Sequence, residues 1–167
     1  MSRPGELFSL EGQVALVTGG SRGLGREVAL AYAEAGADIV VVSRSLESCE
    51  RVADEVVAAG RRALPLACHV GRWDEVDATV AAAYEHFGRV DVLVNNAGMS
   101  PLAPSSVATS EELFDKVVGV NLKGPFRFCA LVGRRMYDAG GGAIVNVSST
   151  GALRPAPHIA PYAGVVH

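Results

Sequence analysis

Short apolar runs alternate with amphipathic stretches along this chain, which predicts strands separated by helices. Val14 to Thr18 is a continuous apolar run ending in glycines, the pattern of a strand buried on both faces of a parallel sheet. Arg22 to Ala35 then places Leu24, Val28, Ala31, Tyr32 and Ala35 at helical spacing, with Gly36 as a C-terminal stop. Asp38 to Ser43 predicts a second strand. Leu46 to Ala59 predicts a second helix, with Ser45 as N-cap, a stripe of Cys49, Val52, Val56 and Val57, and Gly60 as stop. Ala63 to Cys68, Val90 to Val94 and Ala143 to Ser148 predict the third, fourth and fifth strands. Trp73 to Phe87 predicts a third helix ending at Gly88. Thr109-Ser110-Glu111-Glu112 fits a capping box that opens a long helix running to about Tyr137, with a kink at Pro125.

Five strands alternating with four helices predict a single doubly wound α/β domain of Rossmann type over residues 1–167. Right-handed crossovers and a switch point after the first strand give the parallel sheet order 3-2-1-4-5. Ligands of such folds bind beyond the carboxyl ends of the strands, and the polar motifs of this chain fall there.

Composition removes several alternatives. The formal net charge of −3 argues against sequence-independent nucleic-acid binding, which needs a basic footprint. No run of ~20 apolar residues exists to span a membrane. The opening MSRPGELFSLEGQ lacks the apolar core of a leader peptide. Cys49, Cys68 and Cys129 are odd in number and widely spaced, so they predict reduced thiols rather than disulfides or a metal site, and a cytoplasmic location.

VTGGSRGLG, Val17 to Gly25, follows a strand and opens a helix, the arrangement a pyrophosphate site requires. Glycines allow close backbone approach, and the helix start supplies free N–H groups. The spacing is Thr18-Gly19-x-x-x-Gly23-x-Gly25, with Ser21, Arg22 and Leu24 inside it, so it departs from the common GxGxxG; a tight turn is the alternative reading. In VLVNNAG, Asn95 and Asn96 end an apolar strand ahead of Ala97 and Gly98. Asn121 lies mid-helix in VNLKGPF. IVNVSS ends the fifth strand, and Ser149 precedes Tyr162 by thirteen residues. Taken singly, each is as well read as a turn, a satisfied core residue or a strand end.

In this order and spacing, these motifs together resemble the short-chain dehydrogenase/reductase family, from about Gly12 to Tyr162. The resemblance implies an oxidoreductase that interconverts a secondary alcohol and a ketone or aldehyde by hydride transfer with NAD(P)(H), acting on a small molecule. It implies that Gly19, Gly23 and Gly25 cradle the pyrophosphate and that Asn95, Ala97 and Gly98 line the nucleotide site and steady the sheet. It further implies that Asn121 holds a proton-relay water, Ser149 polarises the substrate carbonyl, and Tyr162 is the acid or base. A homo-oligomer is a further implication left open.

Three departures stand against the family pattern. Val166 occupies the place of the lysine in Tyr-x-x-x-Lys. A free phenol has a pKa of about 10, so near pH 7 only about one in a thousand is ionised. The lysine ammonium favours phenolate and grips the nicotinamide ribose; losing tuned acid–base catalysis costs ~10² to 10⁴-fold. The expected sixth and seventh strands and the lid are missing, so the expectation is a truncated product whose fifth strand is an open edge. The alternative to an impaired enzyme is therefore a catalytically inactive nucleotide-binding remnant. Finally, Cys68-His69-Val70 stands where the family carries an Asp-Val pair against adenine.

The second strand ends Val42-Ser43-Arg44, with no acid for a ribose 2′-hydroxyl. Arg44, with Arg22, suits a 2′-phosphate, so NADP(H) is the preferred cofactor and NAD(H) the alternative. Met99 to Thr109 is a Pro/Ser-rich loop, either one wall of the substrate pocket or simply a loop.

Overall fold

The apolar run at Val14–Thr18 is the centre of the sheet, and every residue in this strand, β1, is buried. The computed structural model describes residues 7–166; the first six residues, on which the leader reading partly rests, and His167 lie outside it. Strand β2 (Asp38–Ser43) flanks β1 on one side and β4 (Val92–Asn95) on the other. Strand β3 (Ala63–Ala67) pairs with β2, and β5 (Ala143–Asn146) pairs with β4. All pairings are parallel and the order is β3-β2-β1-β4-β5, as the alternation predicts.

Alternate residues of each strand face opposite layers. Leu16, Val40, Val42 and Leu93 meet Val76 and Val80 of helix α3 (Trp73–Phe87) and Phe128 and Val132 of helix α5 (Gly124–Asp138). Ala15, Val17, Ile39 and Val41 meet Ala29 and Ala33 of helix α1 (Gly23–Glu34) and Cys49, Val52 and Val56 of helix α2 (Leu46–Ala58). Ser45 caps α2 through the Ser48 N–H, as expected, but Val57 is exposed rather than part of the stripe.

The stripe expected on α1 holds in part. Val28 and Tyr32 pack on the core, with Leu30 beside them. Leu24 is 59% exposed and Ala31 is exposed, whereas Gly25, Ala29 and Ala33 are buried. The physical reason is proximity: small residues let α1 pack closely on the glycine loop and β1.

The long helix expected from Thr109 is three pieces: α4 (Glu111–Val118), a π-helical turn (Gly119–Lys123) and α5. Ser110 is the N-cap, accepting from Leu113 N–H at 3.2 Å. Glu112 pairs with Lys116 instead of closing a capping box, and Thr109 Oγ1 donates to the Ser105 carbonyl. The irregularity expected at Pro125 falls just before it. Gly124 N–H bonds back five residues to the Gly119 carbonyl, so the chain widens into a π turn and Pro125 enters the first turn of α5, where no N–H is required of it.

Strands β3, β4 and β5 each differ from expectation by one or two residues. Strand β5 is paired on one side only and all four of its residues are exposed. After it come helix α6 (Thr150–Leu153), a 3₁₀ turn (Pro157–Ile159) and helix α7 (Ala160–Val165). Among the described residues no helix is long and apolar enough to cross a membrane.

Candidate functional site

The carboxyl ends of the strands open into two neighbouring cavities. The first, of about 700 Å³, lies over β1, β2 and β3; its walls include Gly19, Arg22, Gly25, Arg44, His69 and Ala97. The second, of about 640 Å³, lies over β4 and β5 and is lined by Asn121, Cys129, Ser148, Tyr162 and Val166 among others. Asn96, Ala97, Gly98 and Met99 line both and form the shared wall.

Helix α1 begins at the glycine loop with Arg22 as N-cap, and no side chain caps it; its first turn holds no acid. Gly19 sits at φ +66, and a Cβ there would lie 2.8 Å from Asn96 Nδ2 and 2.9 Å from Ala97 Cα. A Cβ on Gly25 would collide with the Gly19 carbonyl and Asn96 Nδ2. The glycines are thus needed to press this loop against Asn96-Ala97, leaving the uncapped N–H groups of α1 facing the cavity.

Asn96, which the motif reading left without a role, is the tie between the two loops. Its Nδ2 donates to the Thr18 carbonyl at 3.0 Å and to the Gly19 carbonyl at 3.3 Å. Thr18, expected at the cofactor, does not line the cavity. Its hydroxyl is buried, donating to Val94 O and accepting from Asn96 and Ala97 N–H at 3.0 and 3.1 Å. Thr18 therefore orders the Asn-Asn-Ala-Gly turn instead of touching a ligand. Asn95 is buried under the second cavity. Its Nδ2 donates to Asn146 Oδ1 at 2.9 Å and to Cys129 Sγ at 3.2 Å, clasping β4 to β5 and α5.

Ser21, Gly23, Leu24, Ser43, Val70 and Gly98 line the first cavity with the residues already named. No Asp or Glu lines it, and Arg22 and Arg44 are exposed with no acidic partner among the described residues. His69 Nδ1 accepts from Gly71 N–H at 3.2 Å, and its own N–H donates to Glu75 Oε2 at 2.6 Å. That backbone bond, joined by Arg72, holds the Glu75 carboxyl below the usual range.

In the second cavity Asn121 lies in the π turn. Its Oδ1 accepts from Met99 N–H at 2.9 Å and its Nδ2 donates to the Met99 carbonyl at 2.8 Å. Both ends of the side-chain amide are thereby tied to the Met99 backbone. Pro125 has no N–H to offer the Asn121 carbonyl four residues back. Ser149, expected at a substrate carbonyl, lines neither cavity. It caps α6, accepting from Gly151 N–H at 3.1 Å. Its neighbour Ser148 lines the cavity and donates to the Val166 carbonyl. A Cβ on Gly151 would touch both Tyr162 Cε1 and Ser149 Oγ, so the two side chains flank one point. Tyr162 and Val166 share the cavity, which no Lys, Arg or His among the described residues lines. The loop from Met99 is strapped to the approach to α7: Ala103 N–H donates to His158 O at 2.9 Å and Ser106 Oγ to Pro157 O at 3.1 Å. Cys49, Cys68 and Cys129 are free, the first two buried and the third half-buried. Burial pushes all three thiols up. No cluster of metal-ligating side chains occurs among the described residues.

A parallel sheet of this order with a glycine loop opening α1 defines a Rossmann-type fold of the nucleotide-binding kind. The chain belongs to the short chain dehydrogenase family, whose profile matches residues 13–165. It is 41% identical over 145 residues to D-threitol dehydrogenase of Mycolicibacterium smegmatis, covering 87% of this chain and 55% of that protein. Its fold matches a 7α-hydroxysteroid dehydrogenase solved with NADH and 7-oxo glycochenodeoxycholic acid, at TM-score 0.93 and 30% identity, covering 99% of this chain and 64% of the other. It also matches a metagenomic short-chain oxidoreductase solved with NADP, at TM-score 0.90 and 35% identity, covering 94% and 71%. The chain thus spans little more than half the length of the curated relative it matches.

Proposed function

We propose that this chain is the nucleotide-binding part of an oxidoreductase that interconverts a secondary alcohol and a ketone or aldehyde with NADP(H). The observation that carries the reading is the continuity of two cavities across Asn96–Met99, one built for an anion and the other holding Tyr162. The residues present fit a dinucleotide: the uncapped start of α1 and the glycine cradle suit a pyrophosphate. When bound, the nicotinamide supplies or accepts the hydride. The cationic, acid-free rim at Arg22 and Arg44 supports a 2′-phosphate, with NAD(H) the alternative.

In this reading Tyr162 moves the proton at the substrate oxygen, Asn121 holds a water through its main-chain carbonyl, and Ser149 orients the carbonyl after its hydroxyl leaves Gly151. Among the described residues no cation lines the cavity of Tyr162, which leaves proton transfer slow. The same absence favours a second reading, a nucleotide-binding module without turnover. The three free thiols support a reducing compartment such as the cytoplasm.

A fluorescence titration of the purified chain with NADPH and NADH, followed by a turnover assay over a ketone panel, tests both. Saturable binding that favours NADPH, with slow turnover, is expected. Binding without turnover on any ketone leaves the module, and no binding to either dinucleotide refutes both readings.

A further inference from the structure

The strand order decides which end of the first cavity is which. Tyr162 and the second cavity lie over β4 and β5, the start of α1 follows β1, and β2 and β3 lie on the opposite side. A dinucleotide whose nicotinamide reaches Tyr162 therefore lays its other base near the end of β3, where Cys68, His69 and Val70 line the cavity.

His69 is tied to its own turn there. Gly71 N–H donates to Nδ1 at 3.2 Å, which requires a lone pair on that nitrogen. That contact assigns the ring N–H to Nε2. The turn around it is held: His69 N–H donates to Glu75 Oε2, and Arg72 N–H donates to the His69 carbonyl at 2.8 Å. Nε2–H finds no acceptor among the described residues, and neither does the neighbouring Val70 N–H. No carboxylate lines this cavity to offset them. Both donors belong to residues that line this end of the cavity.

We infer that His69 makes the distal base subsite a donor edge, which takes a 6-oxopurine at least as readily as adenine and holds adenine by a ring nitrogen rather than by its amino group. The inference rests on the dinucleotide reading above. The exocyclic amino group of adenine is itself a donor, and a donor facing it leaves both groups unpaired. A 6-oxopurine presents two adjacent acceptors, O6 and N7, on one edge. The base edge, not the ring stack, is what His69 selects.

The test is a pair of titrations followed by nicotinamide fluorescence, one with NADPH and one with reduced nicotinamide hypoxanthine dinucleotide phosphate. The wild-type chain is expected to bind the hypoxanthine form at least as tightly. His69→Asp places an acceptor at the same position and is expected to shift the affinity ratio toward adenine by about tenfold. A wild-type preference for adenine above tenfold overturns the inference, and so does a ratio that His69→Asp leaves unmoved. The wild-type ratio needs no variant to fold. Loss of binding to both forms is a different result: it removes the dinucleotide reading, and this inference with it.

Discussion

Val166 stands one helical turn beyond Tyr162, and both side chains line the same cavity. Residues four apart on a helix are neighbours, so a cation at 166 would lie beside the phenol. The valine side chain offers neither charge nor hydrogen bond, and among the described residues no cation lines that cavity. Val166→Lys is expected to raise the rate of ketone reduction by about 10²-fold or more, the range assigned to a tuned acid–base group. Single-turnover reduction with NADPH in excess measures it. Adding Tyr162→Phe to the lysine variant should remove the gain. A gain that survives the phenylalanine would mean that Tyr162 is not the group being tuned.

Much of the fold was legible in the chain because burial in a parallel sheet writes continuous apolar runs: Val14 to Thr18 and Asp38 to Ser43 are buried almost throughout. On α1 the pattern marks Val28 and Tyr32, which pack on the core, but not Gly25, Ala29 and Ala33, which carry little hydrophobic signal; the close approach that selects small residues exists only in three dimensions. The break at Gly119–Lys123 was read as a proline kink, since a π turn has no sequence mark of its own. Around the site the glycine loop and Arg44 fall where their spacing places them. Thr18 ties two loops instead of facing a ligand, and Asn96, to which the motif assigns no role, ties them too, because which polar group faces a ligand depends on χ angles. Nothing in the pattern distinguishes Ser148 from Ser149; the start of α6 turns the second away from the cavity.

Gly25 carries the second prediction. Gly25→Ala puts a methyl group into the Gly19 carbonyl, which is backbone, and into Asn96 Nδ2, which the Thr18 and Gly19 carbonyls hold in place. Overpacking of this kind costs about 1–3 kcal/mol. The loop must also move away from Asn96, so NADPH affinity should fall further than stability does. Urea unfolding and NADPH titration on the same preparation separate the two. An alanine variant of wild-type stability and affinity would show that the cradle has slack.

Arg44 carries the third. It is exposed, unpaired among the described residues and follows the last residue of β2. Arg44→Asp replaces a partner for a 2′-phosphate with one for a 2′-hydroxyl. The ratio of NADPH to NADH affinity is expected to fall by about tenfold to a hundredfold, the worth of one or two hydrogen bonds to a charged group. The fall should shrink at high salt if attraction across solvent supplies it. An unchanged ratio would assign Arg44 to the solvated surface.

Asp38 sets how acid the chain tolerates, far from the chemistry. It opens β2 with its carboxylate 6% exposed, accepting from Arg62 N–H at 2.9 Å and Arg62 Nε at 2.8 Å, and pairing with Arg61. Burial alone would push this carboxyl up, but the Arg62 backbone and side-chain bonds and the two guanidinium charges together hold it below its ordinary value. A group with a depressed folded pKa contributes its full stability above the ordinary carboxylate value of about 4, and that contribution is lost as pH falls through the folded value. Asp38→Asn should therefore cost about 1–3 kcal/mol at neutral pH, leaving Arg62 without its anion and Arg61 with Glu11 alone. Below about pH 4 the difference between the two chains should narrow. Urea midpoints for both proteins, measured from neutral pH downward, give the curve. A difference that stays constant through acid would assign the cost to lost packing at the start of β2 rather than to charge.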